Sequence, residues 1–133
     1  MRTSVEFVSD AFPAYPGEEE AINPGVWGKR LAEYLAAELP KHGFTLDELY
    51  AEDWGWELPL KNLPFPAYVQ CGGRSREGTS HFVVGVDPEK PIIRFGWFWL
   101  RKAHTEVTIN EITNALDQIL RAHEGIRDLE WQA

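Results

Sequence analysis

The sequence has one cysteine, Cys71. That excludes an internal disulfide and fits a reducing, cytoplasmic setting. No apolar run reaches about 18 residues, so a membrane-spanning helix is not expected. Met1 to Asp10 holds one arginine and no apolar stretch of secretory-signal length. A basic excess is also missing. The chain carries 13 Lys and Arg against 21 Asp and Glu, a net charge of −8. A nucleic-acid partner is therefore not expected, because a basic surface is what displaces counterions from phosphates. The four histidines are scattered, with no His-x-x-x-His pair and no cysteine pair, so no metal site or other cofactor is expected. His104-Thr105-Glu106 is at most half of one. A phosphate-cradling glycine loop and a Gly-x-Ser-x-Gly elbow are both missing.

What is present is one domain's worth of chain, residues 1–133, with an ordinary hydrophobic share of 44% and six tryptophans. The charge is one-sided. Residues 1–60 hold 12 acids and 4 bases, whereas residues 61–133 hold 9 of each. A basic protein partner would meet such a field favourably.

The order of elements reads as follows. Ser4–Ser9 alternates as a short strand, and residues 10–25 form a loop around the exposed acidic run Glu18-Glu19-Glu20. Asn23-Pro24 suits a helix start, and Trp27, Leu31, Tyr34, Leu35 and Leu39 give that helix one apolar stripe. Gly43 suits its left-handed closing position. From Trp54 the chain alternates as a strand, with Trp54, Trp56, Leu58 and Leu60 on one face and Asp53, Gly55 and Glu57 on the other. Ala67–Cys71 is a strand, residues 72–78 a polar hairpin loop, and His81–Val86 a strand with Phe82, Val84 and Val86 inward. Ile92–Arg101 reads as a further strand carrying Phe95, Trp97 and Trp99 on one face. A second helix is expected from a capping box at Thr108 and Glu111, with a staple of Val107 and Ile112. Ile109, Ile112, Leu116, Ile119 and Leu120 form its buried stripe, and Gly125 stops it. Ile126–Trp131 is either a last short strand or a docked tail. The expected class is α+β: a single, mainly antiparallel sheet in the order β-α-β-β-β-β-α, with two helices packed on it.

Three constellations bear on function. Trp54, Trp56, Trp97 and Trp99 can form a stacking wall for a sugar or cation, with Asp53 or Glu57 as orienting acids; a large aromatic core explains the same rings. Asp53 and Glu57 on one strand face would lie roughly 13 Å apart, beyond the roughly 5 to 9.5 Å of paired-carboxylate hydrolysis. Cys71 with His81 as a base is the weakest, because a nucleophilic thiol needs a lowered pKa and no local signature surrounds it. Glu18, Glu19, Glu20, Asp53 and Glu57 are the acids expected to face a partner.

Trp27-Gly28-Lys29-Arg30-Leu31-Ala32, Gly43-Phe44 and Glu52-Asp53-Trp54-Gly55-Trp56 together resemble a group of small bacterial proteins to which no activity is assigned. In size, acidity and layout the chain is also similar in type to bacterial toxin-immunity proteins. That likeness implies a protein-binding inhibitor, and it places no particular residue in a site.

Overall fold

The computed structural model describes residues 2–88 and 98–132, and the side chains of these except at 98–105. The fold is α+β, as the pattern predicts. Among the described residues, seven strands form one antiparallel sheet: β1 (Ser4–Ser9), β2 (Thr45–Leu46), β3 (Tyr50–Glu52), β4 (Gly55–Lys61), β5 (Ala67–Arg76), β6 (Thr79–Pro88) and β7 (Ile126–Gln132). Their order across the sheet is β2-β4-β5-β6-β1-β7, with β3 lying beside β2 on the same edge of β4. The helices are α1 (Glu18–Ala21), α2 (Lys29–Glu38) and α3 (Phe98–Arg121), and a 3-10 turn at Leu39–His42 follows α2.

Period-two burial shows which way the sheet faces. Val5 and Phe7 on β1, Leu58 and Leu60 on β4, Val69 and Cys71 on β5, and Phe82 and Val84 on β6 are all buried. Leu31 and Leu35 of α2, with Ile109, Ile112, Leu116 and Leu120 of α3, close over them as one core. The intervening residues point to the opposite face, where Val83 remains 44% exposed. An aromatic group fills the centre: Phe82 stacks on Phe7 at 5.5 Å and meets Trp27 edge-on at 6.1 Å. Three polar side chains at the borders of the core find partners. Ser9 Oγ donates to the Gly125 carbonyl, Trp27 Nε1 to Phe12 O, and Trp131 Nε1 to Asp117.

Both β6 and β7 run antiparallel to β1, so they are parallel to each other, and α3 is the crossover between them. The last strand, read from Ile126 and Leu129 to Trp131, is therefore real and pairs with β1.

Several boundaries differ from the sequence reading. The helix expected from Asn23-Pro24 starts at Lys29, and Trp27 lies outside it, bridging Gly73. Asn23 instead donates through its side chain to Asp53 O at 2.5 Å. The expected strand Ile92–Arg101 is helical from Phe98 onward, and Ile92–Trp97 lies outside the described residues. Thr108 is thus inside α3 and buried, not a cap, while Val107 is 56% exposed and staples nothing. The expected loop at 72–78 is strand as far as Arg76. The turn is Glu77-Gly78, whose φ values of 53° and 81° match the twist of a two-residue hairpin.

Candidate functional site

The Glu-Asp-Trp-Gly-Trp motif is a hairpin, not one straight strand. Glu52 pairs with Gly55, which leaves Asp53-Trp54 as the two-residue turn between β3 and β4. Gly55 has φ 148°, and a Cβ there would stand 2.2 Å from the Cys71 carbonyl oxygen, so only glycine fits. Gly28 meets the same oxygen: its Cβ would lie 2.9 Å away. The two Trp-Gly pairs of the chain thus close on one peptide of β5. A Cβ at Gly72 would come within 2.8 Å of Trp54 O, and one at Gly73 within 2.5 Å of the Phe82 ring. The Cys71-Gly72-Gly73 run is a packing seam. Burial pushes the Cys71 thiol far above its ordinary pKa, so it does not supply a thiolate nucleophile.

The turn separates the two tryptophans that simple alternation puts on one face. Trp54 is 41% exposed and stands on the rim of the sheet face opposite α2 and α3, which the described residues leave uncovered. Trp56 is half-buried and points toward α1, where its Nε1 donates to Glu18 at 2.9 Å. Lys29 Nζ lies 5.2 Å from the Trp56 ring centre. The expected wall of Trp54 with Trp56 does not form. Trp97 and the side chain of Trp99 lie outside the described residues; the Trp99 backbone is in α3, not in a strand.

The acids divide in the same way. Glu18, expected on the surface, is 6% exposed. Its Oε1 accepts from Tyr15 N, and its Oε2 accepts from Gly28 N, Lys29 N and Trp56 Nε1, all at 2.8–2.9 Å. Two of these donors belong to the first turn of α2, so Glu18 caps that helix from outside it and complements its dipole. Glu57 is also buried, at 8%. It accepts from Tyr50 Oη at 2.6 Å and from Gln70 Nε2 at 3.3 Å. The bond to Glu57, helped by desolvation, raises the Tyr50 hydroxyl pKa to about 12. Both carboxylates are committed to this chain's own donors.

The remaining acids of the reading, Glu19, Glu20 and Asp53, are open to solvent to different degrees. Asn23 ties the segment after α1 to Asp53 in the β3–β4 turn. From there Asp53, Glu52, Glu48 and Asp47 follow the outer edge of β4, where residues 43–60 contain no Lys, Arg or His. Tyr50, 40% exposed, sits among them. Lys61 stands beside Thr45 at the far end of β4. Asp47, Glu48 and Glu52 extend the surface beyond the acids singled out by the motif. Their grouping depends on β2 and β3 sharing one edge of β4, which a linear pattern does not display.

A second feature is a groove of about 450 Å³ on the uncovered sheet face, bordered by Trp54, Gln70, Arg74, His81, Val83 and Glu6 among others. Among the described residues, no group of three or more His, Cys, Asp and Glu is placed to hold a metal ion. No described helix is long and apolar enough to cross a membrane. No protein-family model and no curated protein sequence matches the chain.

Proposed function

We propose that this domain is a protein-binding module of the immunity type, which docks its acidic sheet edge on a basic partner surface. One observation carries the reading. Asp47, Glu48, Glu52 and Asp53 lie along one sheet edge with the exposed Tyr50, and the Asn23–Asp53 bond brings up to that edge the segment after α1, the helix that carries Glu19 and Glu20. A single-sign edge speeds encounter with an oppositely charged partner and disfavours others. Tyrosine supplies rigid contact area with one polar tip. The strands at this edge are short, two residues in β2 and three in β3, so side chains and not added strand pairing carry the recognition. Glu18 and Glu57 hold the scaffold beneath it.

The test is affinity capture from a lysate of the native host, with the whole chain as bait. The expected partner is basic. It is retained at about 0.1 M salt and released near 1 M, where the screening length falls from about 10 Å to about 3 Å. Glu20→Lys with Asp53→Lys abolishes retention. Glu124→Lys, an exposed position next to the opposite sheet edge, does not. A partner held equally by the double reversal contradicts the reading.

A further inference from the structure

The groove on the uncovered face has a chemistry that the acidic edge does not use. Three register pairs of β5 and β6 make its floor: Gln70 with Gly85, Gly72 with Val83, and Arg74 with His81. Their buried neighbours, Cys71, Phe82 and Val84, point to the core, so these residues point outward. Gly72 in the middle row and Gly85 beside Gln70 leave those positions of the floor without side chains. The glycine at 72 answers to the Trp54 carbonyl, but a Cβ at Gly85 would meet nothing nearer than 3.8 Å, so packing does not require glycine there. The volume, about 450 Å³, lies in the range of small-molecule sites.

The two ends of the groove differ in charge. Arg74, Arg76 and His81 stand at the hairpin end. Among the described residues none of the three makes an ion pair or a side-chain hydrogen bond, although the chain as a whole is at −8. Acceptors lie away from the hairpin end. Gln70 turns its amide nitrogen to Glu57, which leaves its Oε1 beside Gly85. Glu6 of β1, level with Gly72 and Val83 at the middle of the groove, is the one carboxylate among the described lining residues. Trp54 and Val83, 41% and 44% exposed, supply apolar surface between the ends. One step of two residues along β5, from Gly72 under Trp54 to Arg74, covers roughly 7 Å.

We propose that this groove binds a small aromatic anion whose ring system carries an N–H donor, either in the ring or as an exocyclic amine. Its phosphate or carboxylate lies between Arg74 and His81, its ring stacks against Trp54, and its donor faces Gln70 Oε1 and Glu6. Guanidinium groups suit either anion through paired N–H donors, and an aromatic ring stacks on the indole face. Gln70 is a positioning partner: Glu57 fixes which end of its amide the ligand meets.

The experiment is an amide NMR titration of the intact protein with AMP and, separately, with indole-3-acetate, which distinguishes a phosphate from a carboxylate ligand. Adenosine and inorganic phosphate are the half-ligand controls. The proposal expects at least one of the two whole anions to saturate with Kd below about 1 mM, shifting the amides of Gly72, His81 and Gly85, and each half-ligand to bind at least about tenfold more weakly. Arg74→Gln, at an exposed site that leaves the fold intact, weakens binding about tenfold, and Trp54→Ala does so too. Lys61→Gln has no effect. Absence of saturable shifts with either anion up to about 10 mM overturns the proposal, and so does binding that Arg74→Gln leaves unchanged. The Glu20→Lys, Asp53→Lys variant separates the two readings: it abolishes partner capture and leaves AMP or indole-3-acetate binding within about twofold.

Discussion

Replacing Glu18 removes the acceptor shared by four N–H groups: Tyr15 N, Gly28 N, Lys29 N and Trp56 Nε1. In Glu18→Ala all four lose it at a site 6% exposed, so water replaces it incompletely. A hydrogen bond to a charged group contributes about 1.5–3 kcal/mol net, and a charge at a helix N-terminus about 0.3–1 kcal/mol. If the new cavity rehydrates half the donors, the loss is about 3–7 kcal/mol, a large fraction of a small domain's stability. Glu18→Gln is milder. Its amide oxygen can take the place of Oε2 for three of the donors, while its NH2 faces Tyr15 N–H and the charge is gone. That costs about 1–2 kcal/mol. Urea denaturation followed by fluorescence measures both, and the expected order is wild type, then Gln, then Ala. Each kcal/mol corresponds to about 3–5 °C in Tm at this chain length. An Ala variant within about 0.5 kcal/mol of wild type would refute the role of Glu18 as the cap of α2 and anchor of Trp56.

Gly55→Ala forces a Cβ to 2.2 Å from the Cys71 carbonyl at a φ that L residues rarely adopt, so it is expected to cost at least about 3 kcal/mol or prevent soluble expression. The Tyr50 hydroxyl titrates near 12 because Glu57 holds its proton. Its folded pKa lies above the unfolded value of about 10, so its contribution is complete below pH 10 and is lost as pH rises from there toward 12. Glu57→Gln returns the Tyr50 transition toward 10 in an ultraviolet titration; an unchanged transition contradicts the assigned hydrogen bond. Cys71 reacts with a disulfide reagent at pH 8 only as fast as the protein opens, and at once in denaturant; rapid native labelling is the contrary result.

The elements with a sustained pattern were legible. β1 occupies Ser4–Ser9 as read, Phe82, Val84 and Val86 face inward on β6, and the five-residue stripe of α3 is buried throughout. Errors arose where non-local contacts override a local signal. Asn23-Pro24 is good helix-start chemistry, yet α2 begins after Gly28 because a carboxylate ten residues upstream caps it. Gly72-Gly73 looks like a loop from composition, but here the glycines admit the Trp54 carbonyl and the Phe82 ring into a strand. Alternation from Trp54 to Leu60 concealed a tight turn, and only Gly55 hinted at it. Glu18-Glu19-Glu20 gives no sign of which glutamate turns inward. The simple division of the motif into inward rings and outward acids fails, because the turn exposes Trp54 while Tyr50 and Gln70 close over Glu57. Neither the acidic edge nor the groove was visible as a surface, because each exists only through strand pairing: β2 and β3 on β4 for one, β1, β5 and β6 for the other.

The most direct measurement of the central claim is hydrogen exchange on the captured complex, compared with the free domain. If the acidic edge is the binding surface, new protection falls on residues 19–23 and 47–54, which Asn23 joins to Asp53. Protection confined to β7 or to α3, with those two segments exchanging as in the free protein, would contradict it.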